Sequence, residues 1–237
     1  MSASFEPTTH HASLGNDLAR TARVWDLPTR VFHWALAIVV IGVLVTGFLG
    51  VMEWHFRLGY AVLALLLFRL VWGFIGGRWS RFTAFVYSPR SLFSYLGGRA
   101  HPDHLIGHSP LGALSVFAVL GLLAVQVASG LVADDEISAA GPLTRFVSGS
   151  VVGLATGWHV NYGKWIVLAL VSLHVLAVLF YALVRRHRLI RPMLSGDKLL
   201  TGSRVAESRD DMATRLTALL VFALCAGLAA WIASLRT

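Results

Sequence analysis

Five stretches of this 237-residue chain are almost free of charge and run for about twenty residues, the helix length that crosses a hydrocarbon core of roughly 30 Å. A helix satisfies every backbone N–H and C=O within its own segment, as a single span in lipid must. The pattern therefore predicts membrane-spanning helices over about 31–52, 55–75, 111–133, 158–184 and 216–233. Pro28 and Pro110 stand just ahead of the first and third, where the first helical turn tolerates a missing N–H. The reading is an all-α integral membrane bundle: a tail over 1–24, a four-helix core over 25–198, and a polar linker with a fifth C-terminal transmembrane helix over 199–237.

Composition agrees with this and removes other classes. Only 14% of residues are charged, against about 25% in an ordinary soluble domain; 56% are hydrophobic, and the mean hydropathy is +0.68. Soluble, disordered and fibrous classes are excluded. The polar stretch 1–22 lacks the apolar core of a cleaved signal peptide, so a soluble tail is expected. The net charge of +8 follows the spans: fifteen of the twenty Lys and Arg fall in the tail, the second connection and the segment after the fourth span. Positively charged connections stay cytoplasmic, which places the N-terminus inside and, after five crossings, the C-terminus outside. The opposite connections hold Arg57 and Arg145 beside Asp134, Asp135 and Glu136. Charge thus marks one face of a bundle, and no nucleic-acid partner is expected.

Cys225 is the single cysteine, which excludes a disulfide framework, a cysteine-ligated iron-sulfur cluster and a C-x-x-C-H haem attachment. Histidine, with ten copies, is the remaining ligand type. Four fall in or at the ends of spans: His33, His55, His159 and His174. Ionisable groups at membrane depth are costly and usually functional. With alternating helix directions, His33 and His174 share the cytoplasmic leaflet, and His55 and His159 the other. Fifteen residues separate His159 from His174, a rise of about 22 Å and a rotation about 60° past four turns, so both lie on one broad face. A lone membrane histidine more often packs or hydrogen-bonds than ligates. Two depth-matched pairs favour a planar cofactor clamped between helices, and haem, held between two imidazoles, suits the pattern.

Gly59 and Gly163 follow His55 and His159 by four residues and leave room for a porphyrin edge, or serve close helix packing as Gly42, Gly47 and Gly50 are expected to do. Arg69, at the depth of the cytoplasmic pair, either neutralises a haem propionate or snorkels to the interface. Trp34, Trp54 and Trp158 flank three of the histidines, as interfacial belt residues also do. His10, His11, His101, His104 and His187 lie in the tail or connections, and zinc is disfavoured because only His101 and His104 are closely spaced. His108, before Pro110, is a helix-start residue or a proton acceptor for quinone.

These residues resemble the bacterial cytochrome b-561 family, which includes the cytochrome b subunit of nickel-iron hydrogenases. The resemblance runs through Val24-Trp25-Asp26-Leu27-Pro28-Thr29-Arg30-Val31-Phe32-His33-Trp34, Trp54-His55-Phe56-Arg57-Leu58-Gly59-Tyr60 and Gly107-His108-Ser109-Pro110-Leu111-Gly112. It continues through Trp158-His159, Leu173-His174-Val175 and Arg191-Pro192-Met193-Leu194-Ser195-Gly196. It implies a four-helix bundle in the bacterial inner membrane with two b haems, His33 and His174 ligating the cytoplasmic iron and His55 and His159 the periplasmic one. One departure stands out: the two histidines of the fourth helix are fifteen apart, where the family more often has thirteen or fourteen. Either the helix bulges or His159 precedes its regular part.

The expected function is transmembrane electron transfer between quinone and a periplasmic or membrane-bound redox partner, a cytochrome c or a hydrogenase-like dehydrogenase. An electron-transfer subunit fits better than a self-contained enzyme, since the chain has no nucleophile motif or nucleotide loop. Two alternatives stay open: a stand-alone quinone-linked oxidoreductase acting on a small substrate such as superoxide, and a haem-free transporter using its histidines as a proton relay.

Overall fold

The computed structural model describes residues 20–99, 106–137, 139–200 and 206–236. Helix α1 (Leu27–Phe48) begins where the Asp26 carboxylate accepts the Thr29 N–H at 2.8 Å, with Pro28 in its first turn. Gly50, at φ +70°, turns the chain into α2 (Met52–Ile75), which runs back beside α1. A short helix α3 (Pro89–Leu96) precedes α4 (Pro110–Val132), whose Ser109 hydroxyl caps the Gly112 N–H at 3.2 Å. Helix α5 (Gly149–Gly157) continues through a π-turn (Trp158–Gly163) into α6 (Lys164–Leu183); α7 (Ile190–Ser195) and α8 (Met212–Ser234) follow. Among the described residues the fold is all-α apart from a two-stranded antiparallel ribbon, β1 (Arg20–Arg23) with β2 (Asp197–Leu200).

Among the described residues, five helical segments are long and apolar enough to cross a membrane: Leu27–Phe48, Met52–Ile75, Pro110–Val132, Gly149–Leu183 and Met212–Ser234. Four match the expected spans to within a few residues. The fourth starts nine residues earlier than predicted, at Gly149 instead of 158. Gly149, Gly153 and Gly157 look like a connection because glycine is a poor helix former in water, whereas in lipid a helix is the structure that satisfies the backbone of one segment.

Phe32, Leu36 and Val40 repeat every four residues along one face of α1 and meet Leu65, Phe68 and Trp72 of α2, with Leu123 of α4, Val167 of α6 and Ala218 and Cys225 of α8. Helix α8 lies along α2, where small Ala218 and Ala229 allow close approach and Phe222 packs edge-on against Phe68 with ring centroids 6.0 Å apart. Beyond its far end the Arg236 guanidinium sits 3.6 Å from the Phe56 ring centroid.

The basic end of the bundle is closed by two carboxylates. Asp26 is fully buried and accepts hydrogen bonds from Thr29 N–H, Trp72 Nε1 at 3.3 Å, Gly77 N–H at 3.1 Å and Ser80 Oγ at 2.7 Å. Asp210, just ahead of α8, pairs with Arg23 at 2.6 Å and Arg215 at 3.1 Å and accepts the Leu27 N–H at 3.2 Å. Burial alone would raise the Asp210 carboxyl, but Arg215, the Leu27 N–H and Arg23 outweigh it and hold it below the usual carboxylate range. Ser208 adds a bond from its hydroxyl to the Val24 carbonyl at 2.7 Å. The linker is thereby stitched to the start of α1, which fixes the fifth helix against the first four.

Candidate functional site

At the end of the bundle away from the basic cap, the start of α2 and the π-turn bring His55 and His159 together, ring centroids 6.0 Å apart and planes at 84°. Each ring is held by its Nδ1: His55 against the Val43 carbonyl at 3.1 Å, and His159 against the Gln126 carbonyl at 2.9 Å with Ser129 Oγ at 3.3 Å. An Nδ1–H donated to a carbonyl fixes the tautomer and leaves Nε2 as the free electron pair, the arrangement typical of metal-binding imidazole. Glycine provides the space. A Cβ on Gly47 of α1 would lie 3.0 Å from His55 Nδ1, and one on Gly130 of α4 would lie 2.7 Å from His159 Cε1.

At the basic end stand His33 of α1 and His174 of α6. His174 Nδ1 faces Ser115 Oγ of α4 at 3.4 Å, while the buried His33 Nδ1 has no hydrogen-bond partner among the described residues. Arg69 of α2 lies on the same side of the molecule. It is 3% exposed, so it is buried in the bundle instead of snorkelling outward. Its guanidinium stacks over Phe82 at 4.6 Å, its Nη1 is buried without a partner, and it forms no ion pair among the described residues. A buried cation left in that state is costly, and an anion arriving beside it would satisfy both needs.

The fifteen-residue separation of His159 and His174 is explained by the π-turn. Such a turn absorbs one residue, so the two histidines relate as if fourteen apart, about 40° short of four turns instead of 60° past them. The helix bulges, and it also continues upstream of His159. The same turn changes what Gly163 faces. A Cβ there would overlap Gln126 Oε1 and lie 2.8 Å from Trp158 Nε1, whereas one on Gly59 would meet nothing within 4 Å. Of the three glycines expected to serve helix packing in the first span, Gly42 admits Leu58 at 2.9 Å and does so; Gly50 makes the turn, and Gly47 makes room for His55.

Gly47, Gly130, Gln126, Ser129 and Ser115 are site residues that sequence reasoning missed. The available signal was the hydroxyls and the amide inside an otherwise apolar span, because polar groups at membrane depth persist where they have partners. His108 is partly buried, with ring centroids 4.6 Å from Trp25 and 4.3 Å from Phe85. Burial, then the charges of Arg69, His33 and Lys198, push it down to about 3, so it is neutral at physiological pH. His10, His11, His101 and His104 lie outside the described residues.

No group of three or more His, Cys, Asp or Glu among the described residues could hold a bare metal ion. Histidines in twos fit a metal that brings its own equatorial donors. Metal–imidazole bonds of about 2 Å on either side of one iron put the ring centroids roughly 6 Å apart, the spacing His55 and His159 show. The residues present therefore fit haem.

Comparison with known proteins agrees. The chain is 24% identical over 213 residues to a probable Ni/Fe-hydrogenase B-type cytochrome subunit of Bradyrhizobium diazoefficiens, covering 75% of this chain and 86% of that protein. It is 28% identical over 219 residues to the protein of that name from Azotobacter vinelandii, covering 76% and 90%. It is 23% identical over 210 residues to a probable Ni/Fe-hydrogenase 1 B-type cytochrome subunit of Escherichia coli K12, covering 73% and 88%. No solved structure matches the chain. Residues 24–196 match the family described as prokaryotic cytochrome b561, and the chain belongs to that family, a multi-pass membrane cytochrome whose membership implies haem b and electron transfer.

Proposed function

We propose that the protein is a di-haem cytochrome b that conducts electrons across the bacterial inner membrane, between the quinone pool and a redox partner on the periplasmic side. The observation that carries this reading is the His55–His159 pair, 6.0 Å apart with each Nδ1 facing a backbone carbonyl. His55 and His159 would hold one haem, and His33 and His174 the other, nearer the cytoplasm. Haem b would supply a one-electron couple, and a pair of histidines holding each haem would favour electron transfer over oxygen binding. The protein's own part is to fix the four imidazoles and to place Arg69 where it balances a propionate.

The concentration of Lys and Arg at one end supports a cytoplasmic N-terminus. At the opposite end a cavity of about 650 Å³ is lined by Asp134, Asp135, Glu136 and Arg145 with the start of α5. Three acids there suit a basic partner surface, and the relatives' names support a hydrogenase-type dehydrogenase alongside a cytochrome c. Reconstituted in vesicles, the full-length protein should show its haem absorbance change on addition of a short-chain quinol or quinone. A haem spectrum inert to both would refute the quinone assignment.

Arg69→Gln gives a second test. Loss of a cation from a poorly screened site leaves a propionate uncompensated and disfavours the reduced state. The haem of His33 and His174 should titrate at a more negative potential while the other holds its value. Equal potentials in variant and wild type would remove Arg69 from the site.

A further inference from the structure

We infer that Gln126 of α4 is a positioning residue that sets the orientation of His159 by gripping it twice, with Gly163 as the notch that admits the grip. This rests on the reading of His159 as a haem ligand. The first grip is on the ring: the Gln126 carbonyl lies 2.9 Å from His159 Nδ1. The second is on the backbone: Gln126 Nε2 donates to the His159 carbonyl at 3.1 Å. One bond fixes the tautomer and the ring's rotation about its long axis; the other fixes the peptide from which the ring projects.

The double grip answers a need that the π-turn creates. A π-turn is a single surplus residue in an α-helix, and if the surplus moves along the chain past a residue, the side chain of that residue rotates by about 100° relative to the rest of the helix. His159 lies inside the turn, so its aim depends on which residues the turn includes. A donor from the neighbouring helix to the His159 carbonyl favours one placement over the others. The carbonyl has two lone pairs, so it can accept from Gln126 while keeping a bond within its own helix.

Gly163, the last residue of the π-turn, makes the contact sterically possible. Any Cβ at this position would occupy the space of the Gln126 amide. The amide lies within an apolar span, where a polar group without partners is expensive, and its donor is directed at His159. Gln126 and Gly163 thus form one device on two helices, and Gly163 acts on the ligand through Gln126, not through a porphyrin edge.

The test uses the purified full-length protein. Gln126→Met keeps the side chain's length and removes the donor, Gln126→Glu keeps an acceptor and removes the donor, and Gly163→Ala leaves Gln126 intact and fills its notch. Haem content is read by pyridine haemochrome, and each haem is followed by its low-spin paramagnetic resonance signal and its midpoint potential, assigned with His33→Ala and His159→Ala. All three variants should shift the signal and potential of the His55–His159 haem and leave the other unchanged; selective loss of that haem is the stronger form of the same result. Unchanged signals in all three, or equal shifts of both haems, would overturn the assignment of Gln126. Wild-type protein without haem would instead overturn the reading on which it rests.

Discussion

Alanine in place of His33 should leave a protein that inserts and carries one haem instead of two, and alanine in place of His174 should leave that same single haem. The expectation follows from the packing: α1 and α6 each bring one imidazole to the basic end of the bundle, and removal of either leaves an iron with one protein ligand. His55→Ala and His159→Ala should spare the opposite haem. The loss should be close to one haem per chain in each case, because a porphyrin with one axial bond gone forfeits its anchor to the second helix. Fold is not at stake to the same degree, since the packed core of Phe32, Leu36, Phe68 and Trp72 excludes all four histidines. Difference spectra of the four variants decide the matter. If His33→Ala and His174→Ala remove different haems, the pairing is wrong.

Asp26→Ala should destabilise the whole bundle by about 3 kcal/mol or more, since each buried donor left without a partner costs roughly 1–3 kcal/mol. Three N–H donors lose their acceptor: the first turn of α1 at Thr29, the indole of Trp72 and the Gly77 N–H that follows α2. Ser80 Oγ loses its bond too, although it retains the hydroxyl of Thr29 at 2.7 Å. A markedly lower melting temperature in detergent is expected, with partial recovery in Asp26→Asn, which keeps one acceptor oxygen. An unchanged melting temperature in Asp26→Ala would show that the cluster does not hold the helices together.

The spans and the four histidines were legible because lipid imposes a strict rule on an apolar run: it must satisfy its own backbone. Pro28 and Pro110 marked two starts correctly for a local steric reason. The start of the fourth span at Gly149 was hidden, because glycine spacing carries the same signature in a loop as in a membrane helix. The π-turn left one trace, a histidine separation one or two residues too long, and that number alone could not distinguish a bulge from a late helix start. The ribbon of Arg20–Arg23 with Asp197–Leu200 joins segments too far apart in the chain for any local pattern to announce. Gln126, Gly47 and Gly130 act on histidines of other helices, so their roles appear only once the helices are packed.

The most direct measurement is a pyridine haemochrome assay on the purified wild-type chain, with a low-temperature paramagnetic resonance spectrum of the oxidised protein. The account predicts about two b haems per polypeptide, both low-spin with two nitrogen axial ligands. A chain that purifies intact with no reducible haem band would contradict it.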